Sequence, residues 1–174
     1  GTPVLADLDN NGNLEIIVQS YGSSYIFDNQ GNILSGWPKY TPSNFFYSCC
    51  FPRPAVGNID NDEDLEIIFL GSQSPPKLYV YNLDGSLLNG WPVEVKYPRV
   101  NVNEASPIIA DINNDGINEI IIAVEDFNIN LGRAIVYNRS GAILKEWEFG
   151  DRCGWVDPLS LANLDDDPFL EIVV

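Results

Sequence analysis

The carboxylates of this 174-residue chain are placed rather than scattered. Four short stretches set side-chain oxygens at alternating positions: Asp7, Asp9, Asn11 and Glu15; Asn58, Asp60, Asp62 and Glu66; Asp111, Asn113, Asp115 and Glu119; Asn163, Asp165, Asp167 and Glu171. With the first of each set as loop position 1, the oxygens fall at positions 1, 3, 5 and 9, and every loop offers three carboxylates and one amide. A hard cation such as Ca2+ takes about six to eight oxygens from carboxylates, amide carbonyls and main-chain carbonyls. A tight loop that aims alternate residues inward supplies such a set. Position 7 (Asn13, Asp64, Ile117, Phe169) varies freely, as expected where only the main-chain carbonyl is used. The predicted chemistry is therefore cation binding, up to four Ca2+, one per loop. Gly12 and Gly116 occupy position 6, where a sharp turn is easiest. Glu63 and Pro168 replace glycine in the loops 58–66 and 163–171, which are expected to be the poorer sites. The spacing begins like an EF-hand, but that loop continues to a bidentate Glu at position 12. Here position 12 is apolar (Val18, Phe69, Ile122, Val174), so the EF-hand is rejected.

The elements that must position these loops recur with them. Successive loops start 51, 53 and 52 residues apart, at Asp7, Asn58, Asp111 and Asn163. Between them lies a second motif at Tyr25–Pro38, Leu78–Pro92 and Ala134–Trp147, with Gly31, Gly85 and Gly141 at its turn and Trp37, Trp91 and Trp147 near its end. β-Branched and aromatic residues around a glycine-bearing turn read as strand, tight turn, strand. Each unit thus predicts four strands: a short one entering the acidic loop, a Glu-led apolar run leaving it, and the two arms of the hairpin. Residues 14–18, 65–70 and 117–124 are apolar runs interrupted only at the loop glutamate and Asn118, which suits strands covered on both faces. The predicted class is all-β, built of four-stranded antiparallel blades of the β-propeller type. The units are 1–53, 54–106, 107–157 and a partial 158–174, about 3.5 repeats in one repeat domain and too few for a common closed ring. A half-built last blade leaves unpaired backbone groups. We therefore expect either that the chain is cut from a longer one or that copies complete each other by strand addition.

Composition narrows the function. The chain carries 9 Lys+Arg against 25 Asp+Glu, a formal charge of -16, which opposes nucleic acid and anionic lipid. Of those 25 acids, 12 sit at the predicted ligand positions, and four divalent ions would bring -16 to -8. No apolar run approaches the ~20 residues of a membrane span. Histidine is absent, which removes imidazole general bases, Ser-His-Asp triads and His-ligated zinc.

Taken together, the loops and hairpins resemble the FG-GAP/VCBS repeat family, the calcium-binding propeller blades of integrin alpha-chain heads and of many microbial surface proteins. The resemblance covers nearly the whole chain and implies one calcium in the loop between the first two strands of each blade. Departures from the family loop are Glu63 and Pro168 at the glycine position, Asn58 and Asn163 at the first ligand, and Glu rather than Asp at the last. The hairpins also look like those of quinoprotein-type propellers, which lack a regular acidic loop.

Three further features are open. Cys49, Cys50 and Cys153 are disulfide candidates in an oxidising exterior, with one thiol left over or all three free. Asn138, in Asn138-Arg139-Ser140, is a glycosylation candidate. Trp155, Phe45, Phe46 and Tyr47 fall in longer connections where a sugar or partner protein could dock. The favoured reading is a non-enzymatic extracellular or cell-surface module for adhesion, surface display or assembly into a fibre or layer. Its expected partners are other copies or the rest of a longer chain, with surface proteins or glycans as further candidates. A carbohydrate-binding or carbohydrate-active propeller is the alternative, with Glu104, Glu125 and Asp126 as the spare acids. A quinone-dependent oxidoreductase fragment is a third reading, resting on the hairpins alone.

Overall fold

The computed structural model of the chain describes residues 2–20, 22–42, 52–97, 100–101, 106–126, 128–129, 131–150, 159–165 and 167–173. Cys49, Cys50, Cys153, Trp155, Phe45, Phe46, Tyr47 and Glu104 lie outside the described residues. Within them the chain is all strand and turn. The first sheet runs β1 (Val4–Ala6), β2 (Glu15–Ser20), β3 (Ser23–Phe27) and β4 (Lys39–Tyr40). The second runs β5 (Ala55–Gly57), β6 (Glu66–Gly71), β7 (Lys77–Tyr81) and β8 (Val93–Glu94). The third holds β10 (Ile108–Ala110), β11 (Glu119–Asp126), β12 (Leu131–Tyr137) and β13 (Ile143–Phe149), with β9 (Val100–Asn101) added beside β11. A fourth, two-stranded sheet pairs β14 (Ser160–Ala162) with β15 (Glu171–Val173). All pairings are antiparallel within each sheet, and the described sheets are blade-like repeats that do not close into a ring. Among the described residues no helix is long and apolar enough to cross a membrane.

Position in the stack decides which strands are buried. β6 and β11 are buried along their whole length because a sheet lies on each side of them; this suits their apolar centres, residues 67–70 and 120–124, and also buries the acids Glu66, Glu119, Glu125 and Asp126 at their ends. β2 alternates buried and half-buried residues, since one face of the first sheet has no neighbouring sheet among the described residues. Three apolar layers result. Trp37, Ile67, Phe69, Tyr79 and Tyr81 fill the first interface; Trp91, Ile120, Ile122, Ile135 and Tyr137 fill the second. Ile121, Ala123, Ala134, Val136 and Leu159 carry the third, against Leu161 and Ile172 of the short sheet.

The hairpins differ from the simple strand–turn–strand expectation. After their turns, units one and two make only the isolated bridges Phe27↔Ile33 and Tyr81↔Leu87 before the Gly-Trp-Pro segment, and their outer strands are two residues long. Proline has no N–H to give to a ladder. Unit three has Glu146-Trp147-Glu148 there, and β13 runs unbroken for seven residues. The fifth strand, β9, was not indicated by the sequence pattern; it pairs Asn101 with Glu125 and Val100 with Asp126.

Candidate metal centre

Each acidic loop bridges the first two strands of a sheet, in one register. The last residue of the entering strand always faces the loop glutamate: Ala6 with Glu15, Gly57 with Glu66, Ala110 with Glu119, Ala162 with Glu171. Oε2 of that glutamate accepts the N–H of position 2 in all four loops, from Leu8 at 2.8 Å, Ile59 at 2.6 Å, Ile112 at 3.1 Å and Leu164 at 2.7 Å. The glutamate thus fastens the loop's entry to its exit and keeps its other oxygen for the loop interior.

Inside the loops, side chains at positions 3 and 5 accept the N–H two residues on, an Asx-turn pattern. Asp9, Asp60, Asn113 and Asp165 take the N–H of position 5 at 2.8–3.3 Å. Asn11, Asp62, Asp115 and Asp167 take that of Asn13, Asp64, Ile117 and Phe169, each at 2.8 Å. Position 7 therefore enters the loop through its main chain whatever its side chain. Position 4 is left-handed in each of the three loops where it is described, with φ of 55° at Asn10, 69° at Asn61 and 59° at Asn114. Asparagine is the non-glycine residue that tolerates this best. The sequence carries that signal as an asparagine at the same place in three loops.

The loop glutamates carry buried negative charge. Glu15, Glu66 and Glu119 are buried, at 3%, 1% and 2% exposure, and Oε1 of Glu66 has no hydrogen-bond partner. A buried, unpaired carboxylate is costly unless a counter-charge meets it. Burial first, then the neighbouring Asp60 and Asp62, push the Glu66 carboxyl up to about 7; burial, with Asp115 and Asp111, also raises Glu119. Among the described residues the ion pairs of Lys77, Lys96 and Arg133 go to Glu94, Glu146, Asp126 and Glu148, none to a loop acid. Carboxylate oxygens converge to within 4.8 Å of one another in Asp7/Asp9/Glu15, Asp60/Asp62/Glu66 and Asp165/Asp167/Glu171. In the third loop, Asn113 stands at position 3 and its Nδ2 donates to Glu119 Oε1 at 3.2 Å. An all-oxygen donor set with an orphaned buried carboxylate oxygen fits a hard divalent ion such as Ca2+.

Other singled-out residues are placed as follows. Oδ1 of Asn138 accepts from Ser140 N, Ser140 Oγ and Ala142 N at 2.9–3.0 Å, so its side chain shapes the hairpin turn. Asp126 is bound by Arg133 Nε at 2.9 Å and by Asn128, and Glu125 is buried beside it. Trp37 Nε1 donates to Leu83 O at 2.8 Å and Trp91 Nε1 to Arg139 O at 3.0 Å, each tying its sheet to the hairpin turn of the next.

The fold and the loops define a repeat protein of four-stranded blades with an acidic loop in each unit, and comparison gives the family. The FG-GAP-like repeat model matches twice, over residues 7–69 and 58–122, and the chain belongs to that family. No curated protein matches it. Among solved structures, the crystal structure of the V. cholerae biofilm matrix protein Bap1 is similar at 26% identity and a TM-score of 0.63, over 98% of this chain and 23% of that one. BBS1N, crystallised in complex with ARL6DN and soaked with lead, is similar in fold at 13% identity and a TM-score of 0.57, over 92% of this chain and 46% of that one. The chain thus spans under a quarter of the Bap1 chain.

Proposed function

We propose that this chain is a non-enzymatic, extracellular calcium-binding blade module of the β-propeller type, used in adhesion, surface display or assembly into a fibre or layer. The carrying observation is one loop geometry repeated four times around a glutamate, which in three of the loops (Glu15, Glu66, Glu119) is buried with no ion pair to a cationic side chain among the described residues, and Glu66 Oε1 is left unpaired. In each loop the ion would be held by side chains at positions 1, 3, 5 and 9 and the carbonyl at position 7. Bound there, Ca2+ supplies the positive charge that the carboxylates lack. The residues do the rest: the glutamate closes the loop onto position 2 and the Asx turns hold the remaining oxygens inward. Twelve acids in four loops repel each other without the ion, so binding is linked to folding.

An extracellular or surface location is supported by similarity to a biofilm matrix protein. Residues 1–174 act as one repeat domain, with units at 1–53, 54–106, 107–157 and 158–174. Other copies of the chain, surface proteins or glycans are its partners. Engagement of Asp126 by Arg133 and Asn128 favours a structural role for that acid over glycoside chemistry. Calorimetric titration of Ca2+ into chelator-stripped protein tests the reading. Uptake of up to four ions with a rise in the thermal midpoint is expected. No uptake at millimolar Ca2+ removes the metal role.

A further inference from the structure

The four loops are of two kinds, distinguished by one peptide group. In the first and third loops, position 1 is an aspartate that accepts two main-chain N–H groups. Asp7 takes Asn11 N at 3.0 Å and Gly12 N at 2.9 Å; Asp111 takes Asp115 N at 3.0 Å and Gly116 N at 2.7 Å. Both glycines have φ of 86°, which turns the N–H of the position 5–6 peptide inward. In the second and fourth loops the same peptide presents its other end. Asn58 Nδ2 donates to Asp62 O, and Asn163 Nδ2 donates to Asp167 O at 2.6 Å. Position 6 there is Glu63, which stays out of the left-handed region, and Pro168, whose ring fixes φ near about -65° and which has no N–H at all. A carbonyl turned inward repels a carboxylate but accepts from an amide.

We infer that positions 1 and 6 form a two-residue switch: glycine at 6 selects aspartate at 1, any other residue at 6 selects asparagine, and the pair sets how each loop receives its cation. This rests on the calcium reading for its ligand and on the loop geometry for its mechanism. It explains why two loops lack the aspartate without losing a carboxylate from their set. Their amide sits at position 1, where the peptide end demands it, while the loops with glycine carry theirs at Asn11 or Asn113. Space is not the constraint. A Cβ built on Gly12 or Gly116 meets nothing within 4 Å, so the glycine is needed for its φ and the orientation of its N–H.

A double-mutant cycle in the first loop tests the switch, using the full chain with D7N, G12P and D7N/G12P. Ca2+ uptake is read by equilibrium dialysis and the thermal midpoint is read in excess chelator. With glycine at position 6, D7N weakens first-loop binding. In the G12P background, it tightens binding at least about tenfold over G12P alone, although a ligand carboxylate has been removed. The same sign for D7N in both backgrounds overturns the switch. In chelator, where removing a charge helps in either background, D7N raises the midpoint more in the G12P background than with the native glycine. Equal gains overturn the proposal, and this readout stands if G12P is too unstable to bind. A wild-type chain that takes up no Ca2+ would sink the calcium reading, and the chelator midpoints would still decide the switch.

Discussion

At the scale of residues, two buried acids are held in contrasting ways. Glu66 is 1% exposed with one oxygen bonded to Ile59 N and the other unpaired. Glu66→Gln should therefore have opposite effects in the two conditions. In chelator the variant melts at or above the wild-type midpoint, because an unanswered buried charge is gone. In Ca2+ it melts lower and binds one ion fewer; equal midpoint shifts in both conditions would contradict the assignment. Asp126 is the contrasting case, since its answer is built in. Burial raises its carboxyl, but hydrogen bonds from Asn128 and Arg133 outweigh that and hold it below the ordinary 3.8. The unfolded chain thus binds this proton more readily, so the stabilisation is present above that ordinary value and lost as pH falls through the lower folded one. Asp126→Asn should cost about 1–2 kcal/mol near neutral pH, because Arg133 loses this charge-assisted hydrogen bond but keeps its pair with Glu148. The difference from wild type in urea unfolding should shrink toward low pH.

At the scale of elements, sheets are joined by the tryptophan that closes each hairpin. Trp91 packs on Tyr137 with ring centroids 6.4 Å apart and bonds Arg139 O, while a Cβ on Gly90 would lie 2.6 Å from Ser140 O. Trp91→Phe should cost about 1 kcal/mol for the lost hydrogen bond, with some packing loss besides. Gly90→Ala should cost more, about 2 kcal/mol, since it adds a clash to a φ of 96°. Chemical unfolding of both variants checks the order. The repeat, the all-β class, the buried strands β6 and β11 and the loop residues were legible in the sequence because each is a local pattern of period, charge or turn chemistry. The tryptophan-to-carbonyl ties were not, because their partner is a main-chain atom 46 or 48 residues away, and no side-chain type marks it. β9 escaped for a related reason, since two residues carry no period. Glu146 and Glu148, where Gly and Pro stand in the other units, were visible as departures. Their meaning needed the fold: Glu146 binds Lys96 and Tyr97, and Glu148 binds Arg133.

At the scale of the whole molecule, charge and an open interface act against each other. Trp37 and Trp91 are 7% and 6% exposed beneath the next hairpin, whereas Trp147 is 41% exposed. Beside it Phe149, Phe169 and Ile172 line an apolar groove of about 750 Å³, between the third sheet and the two strands of the fourth. Exposed apolar surface of this kind favours association. A formal charge of -16 opposes association between copies, and four bound divalent ions would halve it. Association should therefore be promoted by Ca2+, and in chelator by salt, which screens the repulsion. Light scattering in ~1 mM Ca2+ should give a mass above the monomer's 19.3 kDa, returning to it in low-salt chelator. Trp147→Ser should reduce the associated fraction while costing about 1–2 kcal/mol of unfolding free energy, since the residue is already 41% exposed to water. The same change at Trp91, inside the second layer, should cost about 3 kcal/mol or more. An unchanged mass for Trp147→Ser would place the contact elsewhere, and a calcium-independent mass would remove charge as its governor.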